Sequence, residues 1–145
     1  MYAIAAANVR RINLRQVCQL SNRETISIID DDASARVATD RLVRSLGWHA
    51  STFASCEEFL RSPQLAETRC LVTDVQMPRV GGLELQRRLA AQGCRIAIIF
   101  MTAFPEDAVR ARAMAAGAVC FLTKPLDAET LSKCIETALG PQHQA

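Results

Sequence analysis

A doubly wound α/β domain is the fold class this sequence predicts, and three observations predict it. Short β-branched or apolar runs alternate with longer stretches in which apolar residues recur every three or four positions. Five such strand–helix units follow one another, which implies parallel strands joined by helical crossovers with helices on both sheet faces. The length of 145 residues is that of one ordinary domain, and 50% hydrophobic residues are enough for a sizeable core.

The elements follow in order. Thr25–Ile29 is a β-branched run that stops at Asp30-Asp31-Asp32. Ala35, Ala38, Leu42 and Leu46 then recur at helical spacing until Gly47, a helix stop. Trp48–Phe53 reads as a second strand and Ser55–Arg61 as a short helix with Ser55 at its N-cap. Cys70–Thr73 is a third strand, ending in Asp74. A Pro/Gly-containing loop, Met77–Gly82, leads into a helix through Leu83, Leu85 and Leu89 that halts near Gly93. Ile96–Met101, the most apolar strand and so expected to be central, ends at Thr102-Ala103. An alanine-rich helix over Glu106–Ala116 stops at Gly117, and Ala118–Thr123 makes a fifth strand ending at Lys124-Pro125. The last helix repeats Leu131, Ile135 and Ala138/Leu139, then stops at Gly140-Pro141.

Charge and cysteine usage bound the function. No stretch approaches the ~20 apolar residues needed to cross a bilayer, so no membrane span is expected. The net charge of +2 is too small to argue nucleic-acid binding by itself. It is uneven, however: Arg10, Arg11, Arg15 and Arg23 precede the first acid, Glu24, and the rest of the chain is mildly acidic. Residues 1–23 therefore read as a basic extension, weakly helical or disordered, with Val9, Ile12, Gln16 and Leu20 forming a partial apolar stripe. Residues 24–139 read as the domain, and 140–145 as a tail or the start of a linker. The six cysteines (Cys18, Cys56, Cys70, Cys94, Cys120, Cys134) show no CxxC spacing, and His49 and His143 are the only histidines, which gives little support for tetrahedral metal binding. Reduced, mostly core-filling cysteines in a reducing cytosol are the expectation.

In open parallel sheets the binding crevice lies outside the carboxyl ends of the strands. Those ends carry Asp30, Asp31 and Asp32 on strand 1, Asp74 on strand 3, Thr102 on strand 4 and Lys124 on strand 5. Clustered carboxylates repel one another, and a hard cation such as Mg²⁺, which prefers oxygen ligands, relieves that repulsion. Each residue alone has a structural explanation, such as a turn former, a helix cap or a solvated charge. Suitable chemistry at four of five strand ends is much less expected by chance.

Taken together, Ile28-Ile29-Asp30-Asp31-Asp32, Leu71-Val72-Thr73-Asp74-Val75-Gln76-Met77-Pro78, Met101-Thr102-Ala103 and Phe121-Leu122-Thr123-Lys124-Pro125 resemble the receiver domain of two-component response regulators. Gly117-Ala118-Val119 and Phe121-Leu122 look closest to the branch whose members often carry a C-terminal helix-turn-helix output domain. The resemblance covers roughly residues 24–139 and implies a flavodoxin-like sheet of order 2-1-3-4-5. It implies that Asp74 accepts a phosphoryl group from a sensor histidine kinase. Asp30, Asp31, Asp74 and the backbone carbonyl of Gln76 would hold Mg²⁺ (or Mn²⁺), while Thr102 and Lys124 would contact phosphoryl oxygens. The Lys124–Pro125 bond would be cis, and Thr102 and Phe121 would form the switch. Its output is read on the face of the fourth helix, fifth strand and fifth helix, where a homodimer could form with Ala111, Ala115 and Ala116 permitting close approach. DNA would be reached only through an output domain outside this sequence, and the setting would be cytoplasmic.

Two departures from the pattern stand out. Cys120 occupies a position that is frequently acidic in the family, and reads either as a small apolar residue or as a site of adventitious disulfides between copies. The basic extension is the other. The competing enzyme reading is a haloacid-dehalogenase-like phosphatase with Asp30 as nucleophile and Asp32 as acid/base, which leaves Asp74 unexplained. A flavin-binding module is weaker still, because no Ser/Thr/Gly-rich loop follows strand 1.

Overall fold

The computed structural model describes residues 25–140. The expectations for residues 1–23 and for the tail beyond Gly140 lie outside the described residues. The elements are β1 (Thr25–Ile29), α1 (Ala33–Ser45), β2 (His49–Phe53), α2 (Cys56–Arg61), a 3-10 turn (Pro63–Glu67), β3 (Thr68–Asp74), α3 (Gly82–Ala91), β4 (Ala97–Thr102), α4 (Asp107–Ala115), β5 (Cys120–Thr123) and α5 (Ala128–Leu139). All strand pairs are parallel, and the sheet order is β2-β1-β3-β4-β5. The central strand is therefore β3, with the very apolar β4 beside it. Both are covered on two faces, which is why neither alternates between apolar and polar residues.

The apolar side chains divide into two layers. Ile26, Ile28, Val72, Ile99 and Met101 face α1 and α5, where Val43, Leu131, Ile135 and Leu139 meet them. Ile29, Leu71, Ile98 and Phe100 face the other way, toward Phe59, Leu85, Leu89 and Ala113. Adjacent residues of one strand thus feed opposite cores, because strand side chains alternate between faces.

Local chemistry explains the helix limits. The Asp32 side chain accepts from the Ser34 and Ala35 amides to cap α1, Ser55 caps α2, and Asp127 caps α5. The buried stripe of α1 differs from the expected one. Ala38 is exposed and Thr39 takes the inward position, its hydroxyl donating to the Ala35 carbonyl at 3.0 Å. That internal bond lets a polar residue sit in an apolar layer. In α3, Gln86 is likewise buried and donates through Nε2 to the Ala113 carbonyl, tying α3 to α4.

The cysteine expectation needs correction. Cys56 and Cys70 are buried and unbonded, and Cys94 is unbonded and partly exposed, but Cys120 and Cys134 form an intramolecular disulfide. Strand β5 sets Cys120 against α5, so its partner is a residue of its own chain.

Candidate functional site

Strand β1 ends in Asp30, whose amide still donates to the Phe53 carbonyl and so holds the residue in the sheet edge. Its side chain is fully buried; Oδ1 accepts from the Asp32 amide at 3.0 Å and Oδ2 from Lys124 Nζ at 2.8 Å. Asp74 ends β3 at 9% exposure, with Oδ1 accepting from the Gln76 amide at 3.0 Å and Oδ2 from Lys124 Nζ at 2.7 Å. Lys124 follows β5, and its own amide donates to the Thr102 carbonyl at 2.8 Å, which extends the β4–β5 ladder and aims the side chain across two strands. The Lys124–Pro125 peptide is cis. One ammonium thus bridges carboxylates from β1 and β3.

Asp31 projects outward and is exposed, yet one carboxylate oxygen from each of Asp30, Asp31 and Asp74 lies within 4.8 Å of the others. Three carboxylates against one ammonium leave an excess of negative charge, and every donor offered is oxygen. That donor set suits a hard divalent cation and not a thiophilic one. For Lys124, burial works to lower the pKa, but the hydrogen bonds and charges of Asp30 and Asp74 outweigh it and hold the ammonium above its ordinary value.

Thr102 is 3% exposed at the end of β4, and its Oγ1 accepts from the Phe104 amide at 3.1 Å. That bond uses the oxygen and not the hydroxyl hydrogen. Phe121 is half-buried, its ring 6.4 Å from that of Phe100 on the adjacent strand. Gln76 sits in the loop after β3, its backbone two residues from Asp74, with an exposed side chain.

This loop is shaped by a close approach. A Cβ on Gly82, the first residue of α3, would meet the Asp74 carbonyl oxygen at 2.6 Å and Phe100 Cε1 at 2.8 Å. Glycine is required there for α3 to start against the end of β3. Arg79, in the same loop, adopts φ 65°, a left-handed conformation unusual for its type.

The structure also places residues that the sequence patterns did not single out. Arg36 Nη1 donates to the Asp30 carbonyl at 2.7 Å, bracing the end of β1 from α1. Phe104 is 75% exposed beside Thr102, signalled in sequence only by an aromatic preceding Pro105. Asp31 borders an open cleft of about 650 Å³ lined also by Glu57, Arg61, Met77 and Arg88. Asp32 is not part of the carboxylate cluster; it is exposed and occupied with the α1 amides, so the phosphatase reading based on Asp30 and Asp32 finds no support.

Comparison with known proteins agrees with this geometry. Residues 26–136 match the response regulator receiver domain. The chain belongs to that family. The receiver is 40% identical over 121 residues to the response regulator protein TmoT of Ectopseudomonas mendocina, covering 82% of this chain and 55% of that one. It is 34% identical over 125 residues to the transcriptional regulatory protein TdiR of Thauera aromatica, covering 86% and 55%. The receiver thus spans about half the length of the curated relatives it matches. The crystal structure of a response regulator receiver protein from Burkholderia phymatum is 39% identical, with a TM-score of 0.70 over 81% of this chain and 96% of that one. These relatives place the receiver among signalling proteins, many of them regulators of transcription. No helix among the described residues is long and apolar enough to cross a membrane.

Proposed function

We propose that this receiver is a phosphorylation-driven switch in which Asp74 is the phosphoacceptor. The observation that carries the reading is the Lys124 ammonium bridging Asp30 and Asp74 at 2.8 and 2.7 Å, with Asp31 beside them. An Asp74 carboxylate oxygen attacks the phosphorus of a phosphohistidine on a sensor kinase. The P–O bond forms as the P–N bond breaks, and the imidazole nitrogen keeps the electron pair. Forming the acyl phosphate removes the negative charge of the Asp74 carboxylate. Lys124, with three N–H donors, then keeps Asp30 while turning another toward a phosphoryl oxygen. Thr102 donates its hydroxyl hydrogen to a second oxygen. Asp30, Asp31, Asp74 and the Gln76 carbonyl would hold Mg²⁺, with Mn²⁺ as a substitute, and that ion would neutralise charge on the transferring group.

The response is a change in packing. As Thr102 moves toward the phosphoryl group, space opens beneath β4 and the half-buried Phe121 ring turns inward. This alters the face of α4, β5 and α5. Only Ala113 of α4 is buried, and Ala111, Ala115 and Ala116 are exposed on or beside it, so a second copy can approach closely there. A cytoplasmic setting and an output domain acting on DNA outside this sequence complete the reading, consistent with relatives about twice as long.

The test is intact mass after incubation with acetyl phosphate, with and without Mg²⁺, for the native chain and Asp74→Asn. A Mg²⁺-dependent gain of one phosphoryl group that the variant lacks is the expected result. A folded native chain that gains nothing, or a variant labelled equally well, overturns the assignment.

A further inference from the structure

The disulfide between Cys120 and Cys134 lies outside the carboxylate cluster but beside the proposed moving parts. Cys120 opens β5, pairs in register with Ile99 and immediately precedes Phe121. Cys134 lies midway along α5, buried at 6% exposure among Leu131, Ile135 and the inner face of the sheet. Their Cα atoms stand 6.2 Å apart, within the span a disulfide bridges without moving the backbone. The bond closes a loop of sequence separation 14 that contains all of β5, Lys124 and the first half of α5. It therefore ties the strand carrying Phe121 to the helix behind it, at the end of β5 away from the carboxylates.

We propose that Cys120–Cys134 is a reversible thiol–disulfide modification site, whose oxidised form restrains β5 against α5 and weakens the response to a phosphoryl group at Asp74. The chemistry needs only a small-molecule disulfide of the glutathione type. The Cys120 thiolate, on the partly exposed residue, attacks it and releases one thiol. The Cys134 thiolate then displaces the second thiol from Cys120. Two electrons and two protons leave the pair, and the small disulfide becomes two thiols. A disulfide in a reducing compartment is usually a transient or sensing one.

The direction of the effect follows from where the bond is made. It is made in the geometry in which Lys124 bridges Asp30 and Asp74. A cross-link formed in one packing weights the equilibrium toward that packing, and a ligand that favours the other then binds less tightly.

This inference rests on the Asp74 reading for its consequence, though not for the thiol chemistry, and the experiment separates the two. The full chain is equilibrated in glutathione buffers of varied oxidised-to-reduced ratio and quenched by alkylation under denaturing conditions. Peptide masses report Cys120 and Cys134, and calorimetry reports beryllofluoride binding in Mg²⁺. The pair should convert reversibly between joined and alkylated forms. The oxidised chain should bind beryllofluoride about five-fold or more weakly than the reduced one, the low end of typical coupling between sites. Cys120→Ser and Cys134→Ala should each bind like the reduced chain in every buffer. A pair that never forms, one that cannot be reduced, or equal affinity in the two states overturns the proposal. If neither state binds beryllofluoride, the Asp74 reading and the coupling both fail, and the alkylation pattern alone decides whether the pair is a redox site.

Discussion

Replacing Lys124 with methionine keeps the aliphatic stem and removes the only ammonium of the cluster. Nζ lies 2.8 Å from Asp30 and 2.7 Å from Asp74, so both carboxylates lose their cation at once. Asp31 is exposed and well screened, which leaves Asp30 and Asp74 as the dominant repelling pair. Their oxygens lie within 4.8 Å, and at an effective dielectric near 20 that repulsion is at least about 3.5 kcal/mol. Removing one partner from a buried ion pair typically costs about 3–5 kcal/mol, so the two lines of reasoning agree. A domain of this size has about 5–15 kcal/mol of stability, and the variant should still fold. Urea unfolding at neutral pH, followed by circular dichroism, measures the loss. With EDTA we expect Lys124→Met to be less stable by about 3–4 kcal/mol, and millimolar Mg²⁺ should restore more than half of that. A loss below about 1 kcal/mol, or one that Mg²⁺ leaves unchanged, would refute the electrostatic account of the cluster.

Two further outcomes are expected. Gly82→Ala places a methyl 2.6 Å from the Asp74 carbonyl oxygen, a backbone atom that cannot swing aside, and should lower stability by about 1–3 kcal/mol in the same assay; an unchanged midpoint would mean that α3 shifts freely. Because the folded-state pKa of Lys124 is raised, its contribution is fully present below the ordinary value of 10.5 and is lost as pH rises through the folded value. Stability measured between pH 8 and 11 should therefore fall at the alkaline end in the native chain and less steeply in Lys124→Met, and parallel curves would contradict the assignment.

Much of the fold was legible because the signals are local. The strand Thr25–Ile29 ends in the structure where its β-branched run does, and Ser55 caps α2 as its position suggests. Gly47 and Gly117 follow α1 and α4 at φ 100° and 103°, conformations that favour glycine. The less legible parts are those where a neighbour overrides a pattern. Thr39 takes the inward position in place of Ala38 because its hydroxyl is satisfied within its own helix, and Gln86 is buried because an α4 carbonyl receives it. Neither partner is visible from periodicity. The central place of β3 follows from strand order, which apolar content alone does not encode.

The same division holds at the candidate site. Sequence by itself determined which chemistry collects at the strand ends, since a parallel sheet must bring the residues after its strands to one edge. On that ground alone Asp30, Asp31, Asp32, Asp74, Thr102 and Lys124 share one edge. Tertiary structure decided the distances and the partners. It set Lys124 across two carboxylates and brought Cys120 within bonding reach of Cys134. Those outcomes depend on how strands and helices pack in three dimensions, on separations of a few ångströms between residues remote in sequence, and no local pattern of residue types carries that information.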